Sequence, residues 1–385
     1  MSEIVLNGIT WGHSRGITPL LAASQRFSEL YPQVRINWEK RTLQEFADFP
    51  IEKLTTNYDL LIIDHPWAGC ASATKCVLPL EEYLSKEYLE NQLKNSVGNS
   101  HLSYHYGGHQ WALAIDAATP VVSYRADLLK RNNIPVPGSW REVLQLAQKK
   151  QVAVPGIPID LLMNFYMFCL AHGAEPFLNE NEVIDKETGM RALDSMKELW
   201  SLADIKMFGY NPVDVAELMS STNDYCYCPF AYGYSNYSRK GYALFPLTYG
   251  NLVNFEGNNR LRSTIGGTGL AVSATTKNKE WATRFAAWVV SGEIQSTLYV
   301  QHGGQPGHRS AWNNPMANSL CNNFFSNTLA TLDNAYQRPR YNGYLYFQDH
   351  AGIPLHQFLL HGGRPERVLE EINKLYKDSK PDLKS

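Results

Sequence analysis

The order of apolar runs in the first 65 residues restricts the fold more than any other feature. Ile4–Ile9 reads as a strand, and Pro19–Leu30 as a helix with Thr18 as N-cap and Pro19 at its first position. Val34–Trp38 reads as a second strand. Thr42–Leu54 reads as a helix opened by a Thr42/Glu45 capping box, and Tyr58–Ile63 as a buried third strand. This β-α-β-α-β order predicts a parallel sheet covered by helices, because parallel neighbours need a crossover. Ligands on such sheets sit beyond the carboxyl ends of the strands. Trp11, His13 and Arg15 follow the first strand, Arg41 follows the second, and Asp64, His65 and Trp67 follow the third.

The rest of the chain is punctuated by Pro and Gly. Gln110–Ile115 and Val121–Tyr124 read as strands, Asp127–Arg131 as a short helix, and Ser139 as the N-cap of another. Lys186–Leu202 is an amphipathic helix, and Arg364–Tyr376 reads as the last helix. At 385 residues the chain suits two domains or one large one. A net charge of −2 gives no electrostatic footprint for nucleic acid. No run approaches the roughly 20 apolar residues of a membrane span. No signal peptide is visible. The expectation is therefore a cytoplasmic protein if Met1 is the native start, or a periplasmic or extracellular one if the chain is a trimmed form. The 22 tyrosines and 9 tryptophans suit faces for flat polar ligands as well as cores.

Three stretches resemble the bacterial extracellular solute-binding proteins of carbohydrate transport, the maltose-binding-like family. They are GGHQWALAIDAATPVVSYRADLLKRNNIPVPGSWREVLQLAQK (107–149), GGTGLAVSATTKNKEWATRFAAWVVSGEIQ (266–295) and GGQPGHRSAW (303–312). The resemblance implies a type II periplasmic-binding-protein-like α/β fold, with two discontinuous lobes and a ligand cleft between them. One lobe would hold residues 1–116 and 265–310, the other 117–264 and 311–385. The lobes would close about segments near Asp116 and Gln305–Gly307. The implied role is capture of a small polar solute, a carbohydrate or a hydroxylated or anionic carboxylate, for uptake by the membrane subunits of an ABC transporter. The protein would act as a monomer, without nucleic acid, membrane insertion or cofactor.

The candidate ligand set is Trp11, His13, Arg15, Arg41, Asp64, His65, Trp67, Asp116, Tyr232, Tyr234, Gly267, His308 and Arg309. Trp and Tyr offer stacking faces, Asp accepts hydroxyl hydrogen bonds, and Arg grips carboxylate or phosphate through its planar fork. Tyr232 and Tyr234 resemble the second-lobe loop that supplies aromatic contacts in the family. Gly267, in GGTG, would let backbone approach the ligand. Trp11 or Trp67 would stack on it, and Arg15, Arg41 or Arg309 would hold an anionic group on it. The competing reading is that the arginines are internally paired, Arg15 with Asp64 first.

The alternative function is a cytosolic enzyme or ligand-binding protein on the same scaffold. Its acid–base candidates would be His13, Asp64 and His65. His101, His105 and His109 stand four apart, but Gly107-Gly108 interrupts any helix, so they read as surface or hinge histidines rather than a metal site. Cys226 and Cys228 read as buried thiols, since a disulfide at that spacing in a strand is strained.

Overall fold

The computed structural model describes residues 3–42 and 50–380. The strands that organise it are β1 (Ile4–Trp11), β2 (Val34–Arg41), β3 (Leu60–Ile63), β4 (Leu113–Ala118), β5 (Pro120–Tyr124), β6 (Tyr227–Tyr232), β7 (Thr248–Gly250) and β8 (Gly266–Val272). The helices used below are α1 (Ser14–Leu30), α2 (Ala68–Thr74), α3 (Trp140–Gln148), α4 (Pro158–Ala171), α5 (Lys186–Trp200), α6 (Lys279–Val289), α7 (Tyr344–His361) and α8 (Pro365–Asp378). The chain divides into two compact units, one of residues 1–118, 265–326 and 340–342, the other of 119–264, 327–339 and 343–385.

The first unit is built on a five-stranded sheet of order β2-β1-β3-β8-β4. β1 runs parallel to β2 from Ile4↔Val34 to Trp11↔Arg41, and parallel to β3 at Gly8↔Leu60. β8 is antiparallel to both β3 and β4. All four residues of β3 are buried, as expected for a central strand with both faces covered. Helices α1 and α6 share an aromatic cluster of Phe27, Tyr31, Trp281, Phe285 and Trp288. The sequence reading ends the first lobe at 310, yet residues 311–326 belong to this unit. Trp312 is fully buried there, donating from Nε1 to Pro306 O at 2.7 Å, and Asn318 Nδ2 donates to Trp312 O at 2.8 Å.

The start of α1 also departs from the expected one. The helix begins at Ser14, capped by His13, whose Nδ1 accepts from Arg15 N at 3.0 Å. Pro19 therefore lies inside the helix instead of opening it. It sacrifices one intrahelical N–H bond within the second turn. The Thr42–Leu54 helix and its capping box fall mostly outside the described residues, and Ile51–Leu54 is its described helical part.

The second unit holds the antiparallel sheet β6-β5-β7, with α4, α5, α7 and α8 packed as a helical layer. Helix α3 starts on the expected Ser139, with Glu142 completing a capping box. An aromatic cluster of Tyr166, Phe177, Tyr344, Phe347 and Tyr376 fills the helical core. Cys226 and Cys228 are both buried free thiols.

Candidate functional site

The carboxyl ends of β1, β2 and β3 lie side by side because the strands are parallel and in register. Trp11 closes β1 opposite Arg41, which closes β2. The next residues leave the sheet in two tight turns. One is the His13 cap of α1. The other is a 3-10 turn, His65–Trp67, whose first N–H is accepted by Asp64 Oδ1 at 2.8 Å.

From the first turn of α1, Arg15 meets Asp116 of β4, the terminal strand of the sheet. Its Nε donates to Oδ2 at 2.8 Å, and its Nη2 donates to Oδ1 in a second short bond, so the fork is used bidentately. Both side chains are almost fully buried, at 4% and 2% exposure. The Arg15 fork is thus taken by Asp116, 101 residues away. Burial pushes the Asp116 carboxyl up from its usual range, and the guanidinium charge pulls against that.

Trp11 supports the pair and is itself held in place. The His13 ring stacks on it with centroids 5.6 Å apart and planes 16° apart, and the Arg15 guanidinium lies 5.6 Å from the ring centre. A Cβ at Gly16 would fall 2.5 Å from the indole, so glycine is what lets α1 lie against it. At 4% exposure Trp11 acts chiefly as a platform for His13 and Arg15. His13 is half-buried. Burial first, and the Arg15 charge second, lower its pKa to about 4, so the ring is neutral at pH 7.

The third strand contributes Asp64, half-buried, and His65, buried with Nδ1 3.2 Å from Asp64 Oδ1 and its ring edge-on to Tyr104. Trp67 is buried, and its indole Nε1 has no hydrogen-bond partner among the described residues. The same is true of the buried Thr10 hydroxyl on β1. Arg41 Nη2 donates to Ile62 O at 3.2 Å, which ties the end of β2 to β3.

Other expected residues of the first unit have structural tasks. Gly267 has φ +99°, and a Cβ there would lie 2.3 Å from Asp116 O, so this glycine admits the β4 backbone. His308 caps the Arg309–Trp312 turn through Nδ1, which sits 2.8 Å from Ser310 Oγ. Burial lowers its pKa. Arg309 Nε donates to Ser96 O at 3.1 Å. Outside the site, His109 pairs with Glu81, and among the described residues no group of three His, Cys, Asp or Glu could hold a metal ion.

In the second unit Tyr232 ends β6 with its hydroxyl 3.0 Å from Thr264 Oγ1, and Tyr234 packs edge-on against Tyr237. Sequence reasoning missed a further polar set there. Asp160 and Asn164, one turn apart on α4, are both buried, and Asp160 Oδ2 and Asn164 Nδ2 have no hydrogen-bond partner among the described residues. Burial, and secondarily the charge of Asp214, push the Asp160 pKa up to about 8, so it keeps its proton at pH 7. The segment Pro158-Ile159-Asp160 reads as an ordinary helix start, and nothing local marks it as special.

The family model of the bacterial extracellular solute-binding proteins matches residues 14–296. The chain belongs to that family. Membership implies a small-molecule ligand and an ABC transporter as partner. No helix among the described residues is long and apolar enough to cross a membrane. The fold is the mixed α/β fold of the two-lobed periplasmic binding proteins. Maltose-bound MalE3 of T. maritima superposes with a TM-score of 0.83 at 17% identity, covering 97% of this chain and 99% of that one. A ribitol complex of an ABC transporter solute-binding protein from Agrobacterium radiobacter gives 0.82 at 20% identity, covering 98% and 99%. UgpB of Mycobacterium tuberculosis, in complex with glycerophosphocholine, gives 0.78 at 16% identity, covering 98% of each.

Proposed function

We propose that this solute-binding protein captures a neutral polyhydroxylated solute, a sugar or sugar alcohol, and delivers it to an ABC transporter without chemical change. It would do so as a monomer, outside the cytoplasmic membrane. Membership of an extracellular binding family supports capture over catalysis, and the maltose and ribitol complexes of similar folds support the ligand class. The observation that carries the choice of a neutral ligand is the Arg15–Asp116 pair. A guanidinium engaged bidentately by a buried carboxylate offers little to a ligand anion, and pulling it away would strand a buried charge. The ends of β1 and β3 also carry groups suited to hydroxyls: the neutral His13 ring, the Asp64 carboxylate and the Trp67 indole N–H.

Calorimetric titration with maltose, ribitol and tagatose, set against glucuronate and glycerophosphocholine, tests the reading. Saturable binding of a neutral member is expected. Binding confined to the charged members would overturn it and return the arginines Arg41 and Arg309 to the role of anion holders.

A further inference from the structure

The second unit carries a polar cavity of about 390 Å³, a volume in the range of small-molecule sites. One wall is the hairpin Asn254–Glu256/Asn259–Arg260, which reverses at Gly257, φ +55°. The other walls are the end of α4, at Leu170 and Ala171, and the end of the helix Phe324–Asp333. Hydrogen bonds fix these walls to one another. Thr331 N and Oγ1 both donate to Asn251 Oδ1 at 2.9 Å, and Leu252 N donates to Thr331 Oγ1 at 3.1 Å, which anchors the helix to the chain entering the hairpin. Arg262 Nε donates to Asn334 O at 2.7 Å, and its Nη1 lies 3.7 Å from Glu175 Oε2, so this arginine is a strut between the hairpin exit and the helix end.

Two arginines and four asparagines line the cavity, and none of its lining residues is an acid. Asn254 and Arg260 are direct cross-strand partners, so their side chains share one face of the hairpin. The residues next to them turn the other way: Leu261 is buried, and Phe255 packs edge-on against Phe168 and His172. Arg260 is exposed and makes no ion pair with a described residue. Its fork therefore keeps its N–H groups for a ligand, unlike that of Arg15. We propose that this cavity is a second small-molecule site, which takes a compact hydroxylated oxyanion, a carboxylate or a phosphate ester. Arg260 grips the oxyanion bidentately, and the asparagine amides, each both donor and acceptor, pair with the hydroxyls. The strand-end site belongs to the first unit, so this second site stands whether or not that one takes a neutral solute.

Calorimetric titration of the whole protein with citrate and with glycerol 3-phosphate, at one ionic strength, tests this. Saturable one-to-one binding of at least one probe is expected, and the tighter probe identifies the oxyanion. Arg260→Gln should weaken that probe about tenfold or more, and Arg260→Lys should weaken it as well, because a point charge does not reproduce the fork. Arg260 is exposed, so neither change should shift the melting temperature of the free protein. With the probe bound, amide hydrogen exchange should slow within residues 254–262 and 330–334 and stay unchanged at the ends of β1 and β3. Binding of neither probe at millimolar concentration, equal affinity in Arg260→Gln, or protection confined to the ends of β1 and β3 would overturn the proposal.

Discussion

Each unit buries a carboxyl, and each handles it differently. Asp116 in the first is held by the two-pronged grip of Arg15, and Asp160 in the second is buried with its proton kept. The difference comes from position. Asp116 sits on β4, the terminal strand of the sheet, where Arg15 in the first turn of α1 reaches it. Asp160 sits in the first turn of an almost wholly apolar helix, and the charged neighbour that acts on it is another acid, Asp214. A paired buried charge is rigid and expensive to break. A neutral buried acid is a donor and acceptor that costs stability once solution pH favours ionisation.

The largest expected effect breaks the first half of this contrast. Arg15→Ala leaves Asp116 buried without its fork and should cost about 3–5 kcal/mol in a urea denaturation. Arg15→Ala combined with Asp116→Ala should cost clearly less than the sum of the two single changes. A loss for Arg15→Ala below about 1 kcal/mol would mean that Asp116 simply takes up a proton, as Asp160 does.

The second prediction concerns pH. Asp160 holds its proton in the folded state up to about pH 8 but would release it in the unfolded chain around the ordinary aspartate value of 3.8. Between those values the unfolded chain binds fewer protons, so stability falls as pH rises, by at most about 1.4 kcal/mol per pH unit. Asp160→Asn removes that slope, which melting curves across this range would show. An unchanged slope would place the charge elsewhere and erase the contrast between the units.

The packing beneath the first site gives a smaller effect. Gly16→Ala drives a methyl into the Trp11 indole, and about 1–3 kcal/mol of stability should be lost. The smallest is the His13 contribution. Its pKa is about 4 when folded, against 6.5 for an ordinary histidine, so the unfolded chain binds the extra proton between them. Stability should therefore fall as pH drops from 6.5 towards 4, and His13→Gln should flatten that part of the curve.

Much of this was legible because strand endings were. The β-α-β-α-β alternation placed Trp11, Arg41 and Asp64 at one sheet edge, and parallel pairing puts them there. The start of α1 was misread because Thr18-Pro19 carries a strong helix-start signature, whereas a histidine N-cap carries a weak one. The pairing of Arg15 with Asp116 was missed for a different reason. Local spacing draws the eye to Asp64, whereas Asp116 comes from β4, the terminal strand of the sheet, 101 residues along the chain. Asp160 was invisible, since an acid in a first turn is ordinary until burial is known.

On the proposed function, the strand-end edge of the first unit binds a neutral polyhydroxylated solute, with Asp64 accepting its hydroxyls. Calorimetric titration of wild type and Asp64→Asn, with the neutral sugar or sugar alcohol that binds best, tests this most directly. Affinity should fall about tenfold or more while the melting temperature of the free protein hardly changes. Equal affinity for the two proteins, at saturating and reversible binding, would contradict this role of Asp64.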